Sequence, residues 1–153
     1  MILSSHVAIG ATIGTIVKDP VIGFFAGLVS HHIADLIPHT DIGSYGGSIY
    51  NLFKKKKFLL LFIADVLLSL LILVPTLLYF DKNVVIFSLV GAILPDVIDN
   101  SPFWSPQLRK LFPFNYYHLF HERFHNTVSD RFWLGYLTQL LLIIVCILII
   151  INQ

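Results

Sequence analysis

Apolar residues along this chain gather into five runs separated by short polar breaks. The two longest are Phe58 to Phe80, 23 residues with Asp65 as their only charge, and Phe132 to Ile151, 20 residues with none. At about 1.5 Å of rise per residue, each covers the roughly 30 Å hydrocarbon core of a bilayer. Three shorter runs are Ser4 to Val17, Val21 to Ile37 and Val84 to Ile98. They fall near or below the roughly 17 residues of a perpendicular span, so they read as short spans or as re-entrant helices. Lys18-Asp19-Pro20 separates the first two, with Pro20 placed to open the second helix. The pattern predicts an all-α fold, a multi-pass transmembrane bundle of two long and about three short helices in a single domain over 1–153. The helices fall at about 4–17, 21–37, 58–80, 84–98 and 132–151, with cytoplasmic loops at about 38–57 and 99–131.

Composition agrees with lipid as the surrounding solvent. The chain is 56% hydrophobic and 12% charged, against roughly 25% charged in soluble domains, with a mean hydropathy of +0.81. A net charge of +1 supplies no global field for nucleic acid, which is not an expected partner. The one cysteine, Cys146, excludes an internal disulfide and a cysteine-rich zinc site, and reads as a small lipid- or helix-facing hydrophobe. The amino-terminal MILSSHVAIGATIG lacks a positive region before its apolar stretch, so it is expected to stay as a helix instead of being cleaved.

Basic residues set the expected orientation. Lys54 to Lys57 precede the first long run, and Arg109, Lys110, Arg123 and Arg131 lie in or beside the loop at 99–131. Both clusters favour the cytoplasmic face of the plasma membrane, which puts the amino end inside and the carboxyl end outside. Trp104, Trp133, Tyr116, Tyr117 and Tyr136 fit an interfacial belt, and Phe103 and Phe112 to Phe114 suggest a loop lying partly on the membrane.

Candidate chemistry falls on that same face. His6 opens the first run, His31, His32 and His39 close the second, and His118, His121 and His125 occupy the loop at 99–131. Asp35, Asp41, Asp96, Asp99 and Glu122 accompany them. On a helix both His31 (i,i+4) and His32 (i,i+3) can share a face with Asp35, while Pro38 turns His39 and Asp41 back toward it. Imidazole and carboxylate are the usual ligands of Zn²⁺ and related ions, and ionisable groups at a membrane helix end are costly unless paired or coordinated. A solvated polar cap would use the same residues. Asp96 and Asp99, three apart, add two carboxylates.

His118, His121 and His125 fall within about 60° of one helical face, as metal ligands or, with Arg123, as contacts to headgroup phosphates. The same stretch reads H-E-x-x-H through His121, Glu122 and His125, the spacing of zinc proteases in which the glutamate is the general base. Asp65, about 10 Å into the first long run, is expected to orient a metal-bound histidine or to bond across helices.

These motifs resemble the predicted membrane-bound metal-dependent hydrolases, small bacterial and archaeal proteins with a distant likeness to phospholipase C and related nucleases. The likeness rests on His6, on SHHIADLIPHTD from Ser30 to Asp41, on GAILPDVID, on HLFHERFH, and on Gly135 and Gln139 in the last run. It implies a divalent-metal hydrolase, with zinc favoured and manganese or magnesium as alternatives, acting on a phosphoester or lipid-linked substrate at the cytoplasmic face. His32, Asp35, His39, Asp96, His121 and His125 would hold one or two ions, with His6, His31 and His118 as further candidate ligands. Asp99, Asp41 or Glu122 would be the general base, and Arg123 would neutralise charge on phosphate. Two other readings stay open: a non-catalytic metal- or lipid-binding membrane protein serving as scaffold or transport component, and an intramembrane zinc protease. Membrane lipids are the expected partners under each of them.

Overall fold

Local chemistry sets where each helix starts. α1 (Leu3–Ile16) stops before Lys18, and α2 (Pro20–Asp35) begins where the Asp19 carboxylate accepts from the Ile22 amide at 2.9 Å. Pro20 sits where no N–H partner is needed, as the sequence predicts. α3 (Lys56–Tyr79) is followed by α4 (Lys82–Asp99), which Asp81 caps through the Asn83 and Val84 amides. Two short helices come next, α5 (Ser105–Leu108) and α6 (Phe114–Glu122), and then α7 (Phe132–Ile151). The computed structural model describes residues 1–41, 55–128 and 131–153, and these contain seven helices, no strand and one isolated bridge, His39 to Thr127.

All five predicted helices are present, with ends moved by at most two residues, and 132–151 coincides with α7. The 99–131 loop is a partial exception because it holds α5 and α6. Most of the 38–57 loop, with Lys54, lies outside the described residues.

Small residues bring α1, α2 and α4 into close contact. A Cβ on Gly27 would collide with the Ser88 carbonyl, one on Gly91 with the Phe24 carbonyl, and one on Gly14 would lie 2.6 Å from Val85 Cα. Backbones approach this closely where small side chains replace bulky ones, which is the packing mode of helices in lipid. α3 and α7 flank α1. Ala8 and Ala11 of α1 meet Ile72 of α3 and Ile143 and Cys146 of α7 in a buried apolar cluster, so Cys146 faces helices. The outer faces of these two helices stay apolar, with Leu60, Leu67, Leu71 and Leu78 on α3 and Leu137, Leu141 and Leu148 on α7 all exposed. Both are long and apolar enough to cross a membrane.

Three hydrogen bonds fix the depth at which α1 begins. The Leu3 and Ser4 amides donate to the Asp65 carboxylate at 2.8 and 2.9 Å, and the Ile2 amide donates to Gln139 Oε1 at 2.8 Å. Asp65 lies nine residues into α3 and Gln139 seven into α7. At 1.5 Å per residue the start of α1 is thus sunk about 10–14 Å below the leading ends of both long helices. Asp65 is therefore the amino-terminal cap of α1. Of its two expected roles this is the bond across helices and not the support of a metal-bound histidine, because both of its oxygens are spent on backbone amides.

Candidate metal centre

Three helices carry small residues every four positions, and each stripe ends in a metal-competent side chain. On α1 it runs His6, Gly10, Gly14; on α2, Gly23, Gly27, His31, Asp35; on α4, Ser88, Ala92, Asp96. Residues four apart lie on one face. The contact that selects glycine, serine and alanine therefore also drives the ends of the stripes together.

Asp35, fully buried, is the hub. Its Oδ2 lies 3.3 Å from His31 Nε2, 3.6 Å from His121 Nε2 and 3.5 Å from His125 Nε2. Its Oδ1 lies 3.5 Å from His6 Nε2, 3.9 Å from His39 Nε2 and 3.2 Å from the Met1 amino nitrogen. Asp96 faces the same imidazoles, with Oδ1 3.8 Å from Nε2 of both His31 and His121, and Oδ2 3.6 Å from His6 Nε2. His6 stacks on His31 with ring centroids 4.1 Å apart. Asp96 is the more open carboxylate, its side chain 26% exposed against 0% for Asp35.

Three of the histidines are oriented from behind. His31 Nδ1 donates to the Ala92 carbonyl at 2.7 Å, His39 Nδ1 to the Ile37 carbonyl at 2.9 Å, and His121 Nδ1 meets Asp99 Oδ2 at 3.0 Å. In a neutral imidazole with a protonated Nδ1, Nε2 presents its lone pair. These lone pairs point at Asp35. A ring nitrogen bonded to a carbonyl or carboxylate, with its opposite nitrogen turned inward, is the usual arrangement of a metal-bound histidine. Asp99 holds the arrangement steady by also accepting from His118 Nδ1 at 2.9 Å and Arg109 Nε at 2.9 Å.

The donor set fits a cation. His31 Nε2 and His121 Nε2 are 3.2 Å apart, so two inward lone pairs face each other beside two carboxylates. A shared proton or a metal ion can lie between them. Nε2 of His6, His39 and His125 and Oδ2 of Asp35 are buried without a hydrogen-bond partner. Ligand atoms about 2.0–2.2 Å from one tetrahedral or octahedral ion lie roughly 3.0–3.5 Å from one another, close to the spacings here. Two groups meet this test with Asp35 in common: His31, Asp35, Asp96 and His121, and Asp35, His39 and His125. These buried histidine and aspartate clusters can hold a metal ion.

The protonation states differ around the cluster. Burial lowers the His39 pKa to about 4 and also pushes His125 down, leaving both imidazoles as neutral ligands. Burial acts the same way on His121, but hydrogen bonds to Asp35 and Asp99 outweigh it and raise its pKa to about 9. In effect, the two carboxylates recruit positive charge to this ring. Burial raises the Tyr117 phenol, and the nearby aspartates add to the effect.

Several expected residues lie elsewhere. His32 turns away from Asp35, its ring against Phe120 and Phe124 at 5.2 and 5.3 Å, although a nitrogen of it still comes near His31 and His121. His31, on the glycine stripe, takes the inner place instead. α6 ends at Glu122, so His125 reaches Asp35 from beyond the helix while His118 stays with Asp99, and the three histidines do not share one face of one helix. Asp99 has both oxygens engaged and orients His121, which removes it as a free general base. Glu122 is exposed and lies with Asp99 and His118, and Arg123 is exposed at the end of α6. Asp41 contributes to the field at His125.

Sequence reasoning missed how the His39 segment is held. Gln139, fully buried, donates through Nε2 to the Thr40 carbonyl at 2.8 Å, and Asn126 donates its amide to the Asp35 carbonyl at 2.9 Å. Gly135 lets this segment lie against α7, since a Cβ there would strike Thr40 Oγ1. A glutamine within an uncharged apolar run was the available signal. No protein-family model, curated protein or solved structure matches the chain.

Proposed function

We propose that this chain is a multi-pass protein of the plasma membrane, and that it is a divalent-metal hydrolase acting on a phosphoester of a lipid or lipid-linked substrate at the cytoplasmic face. The observation that carries the reading is the pair of inward Nε2 atoms of His31 and His121, 3.2 Å apart, facing Asp35 and Asp96 with both rings anchored from behind. Those four residues would hold the ion, and nitrogen with carboxylate ligands favours zinc, with manganese or magnesium as alternatives. A bound divalent ion lowers the pKa of water and polarises a phosphoryl oxygen. Hydrolysis forms a bond from the water oxygen to phosphorus and breaks the bond from phosphorus to the leaving alcohol, which departs with a proton. Asp96 would face the ion through Oδ1, beside His31 and His121, which leaves Oδ2 of this partly open carboxylate to accept the proton that water gives up. The sunken position of the cluster, beside two apolar helices, supports a lipid over a soluble ester. The resemblance to membrane-bound metal-dependent hydrolases points the same way.

The second reading is a non-catalytic metal-binding membrane protein. It draws support from Asp99 being committed to three partners and from Glu122 and Arg123 lying outside the cluster. The protease reading loses its general base for the same reason, since Glu122 does not join His121 and His125 at Asp35. Protein purified in mild detergent should carry tightly held metal that the double variant Asp35→Asn/His121→Ala loses. Mixed micelles of lipid phosphoesters should then release phosphate only with the wild type, and a chelator should stop it. Metal-free wild-type protein that takes up no added zinc would sink the proposal. Metal without turnover of any phosphoester would select the second reading.

A further inference from the structure

The ligand groups around Asp35 are two, and they use different histidines. His31 and His121 face Asp96 and Asp35 Oδ2, whereas His39 and His125, with ring centroids 5.0 Å apart, reach Asp35 at Oδ1 and Oδ2. His39 is fully buried, its Nδ1 is spent on the Ile37 carbonyl, and its Nε2 has no partner although it points 3.9 Å from Asp35 Oδ1. His125 Nε2 is also buried without a partner, 3.5 Å from Asp35 Oδ2. One ion between His31 and His121 leaves both atoms unsatisfied, and an unpaired buried polar atom is costly. The scaffold behind this second group is equally specific. Gln139, Gly135 and the His39–Thr127 bridge fix the His39 segment, and the Asn126 amide on the Asp35 carbonyl fixes the chain after His125.

We propose that the centre holds two divalent ions bridged by the Asp35 carboxylate, the second one bound by His39 and His125. This deepens the hydrolase reading and rests on it, because a second ion adds positive charge where an anionic substrate would bind. One divalent ion against Asp35 and Asp96 leaves the centre near neutrality, whereas two leave it cationic. A cationic pair suits an anionic phosphoester, since paired ions can stabilise both the entering and the leaving oxygen of an in-line displacement. Phosphate esters are therefore the favoured substrates.

The test is metal stoichiometry. Wild-type protein stripped with a chelator, reloaded with zinc in detergent and freed of excess should hold two zinc ions per chain by elemental analysis. The double variant His39→Ala/His125→Ala should hold one. Loading wild type with Mn²⁺ supplies an independent reading from electron paramagnetic resonance that needs no variant. A bridged pair gives an exchange-coupled spectrum, and an isolated ion gives six resolved hyperfine lines. One zinc per chain in both proteins, with only the isolated-ion spectrum, would overturn the two-ion centre and leave the single-ion hydrolase standing. No zinc in wild type would overturn the hydrolase reading itself. If the double variant fails to elute as a monodisperse species, the manganese spectrum of wild type decides the matter alone.

Discussion

Asp99 shows how a side chain outside the Asp35 cluster can govern it. It joins His118, His121 and Arg109, and of these only His121 reaches the Asp35 cluster. Replacing it with asparagine keeps the shape and removes the charge that orients His121. Carboxylates in this position typically account for 10–100-fold in metal affinity. Asp99→Asn should therefore weaken zinc binding by about 10–100-fold in competition with a chromophoric chelator, with unchanged stoichiometry at saturation. Loss of stoichiometry would instead make Asp99 a ligand. The neighbouring pair His31 and His32 shows where sequence falls short. Relative to Asp35, His31 lies about 40° away around the helix and His32 about 60° away on the other side, so spacing alone admits both. What decides between them is that Gly23 and Gly27 face α4, which puts His31 on the buried stripe. The glycines were visible in the sequence; the helix they pack against was not.

Helices α1, α2 and α4 were readable in existence and nearly in extent, because apolar runs and capping residues are local signals. Their mutual packing was not, since it depends on which small residues oppose which backbone. In the 99–131 segment only the stretch around His118 reads as helical, since its many aromatic and polar residues carry no clean apolar period that would give the bounds of either helix. Gly27 offers the sharpest probe of this packing. A methyl group there would press on the Ser88 carbonyl and the Ala92 amide, both backbone atoms that cannot rotate aside. Gly27→Ala should cost about 1–3 kcal/mol, the usual range for overpacking, and appear as a lower unfolding midpoint in detergent. Because His31 is four residues further along the same stripe, zinc affinity should fall along with stability. An unchanged midpoint would mean that α2 and α4 do not approach as closely as described.

The cluster gathers the start of α1, the ends of α2 and α4, and residues of α6, and it lies toward the leading ends of α3 and α7. Lys55, Lys56, Lys57 and Arg131 are at those leading ends, whereas the trailing end of α3 is followed by one basic residue, Lys82, beside Asp81. If α3 and α7 cross the bilayer as their length and exposed apolar faces allow, both must cross in the same direction. Under the proposed function the positive charge predicts a cytoplasmic cluster, which phosphate-bearing headgroups would meet from the inner leaflet. Cys146 is buried, and Cys146→Ser gives a background in which an introduced thiol is the only one. In that background, Asn152→Cys should react with a membrane-impermeant maleimide on intact cells, and Lys57→Cys should react only after the cells are opened. The reverse pattern would move the cluster to the outer face and change which lipids can reach it. Equal labelling of both positions from outside would mean that α3 and α7 do not span as a parallel pair, and the orientation argument from the lysines would fail with it.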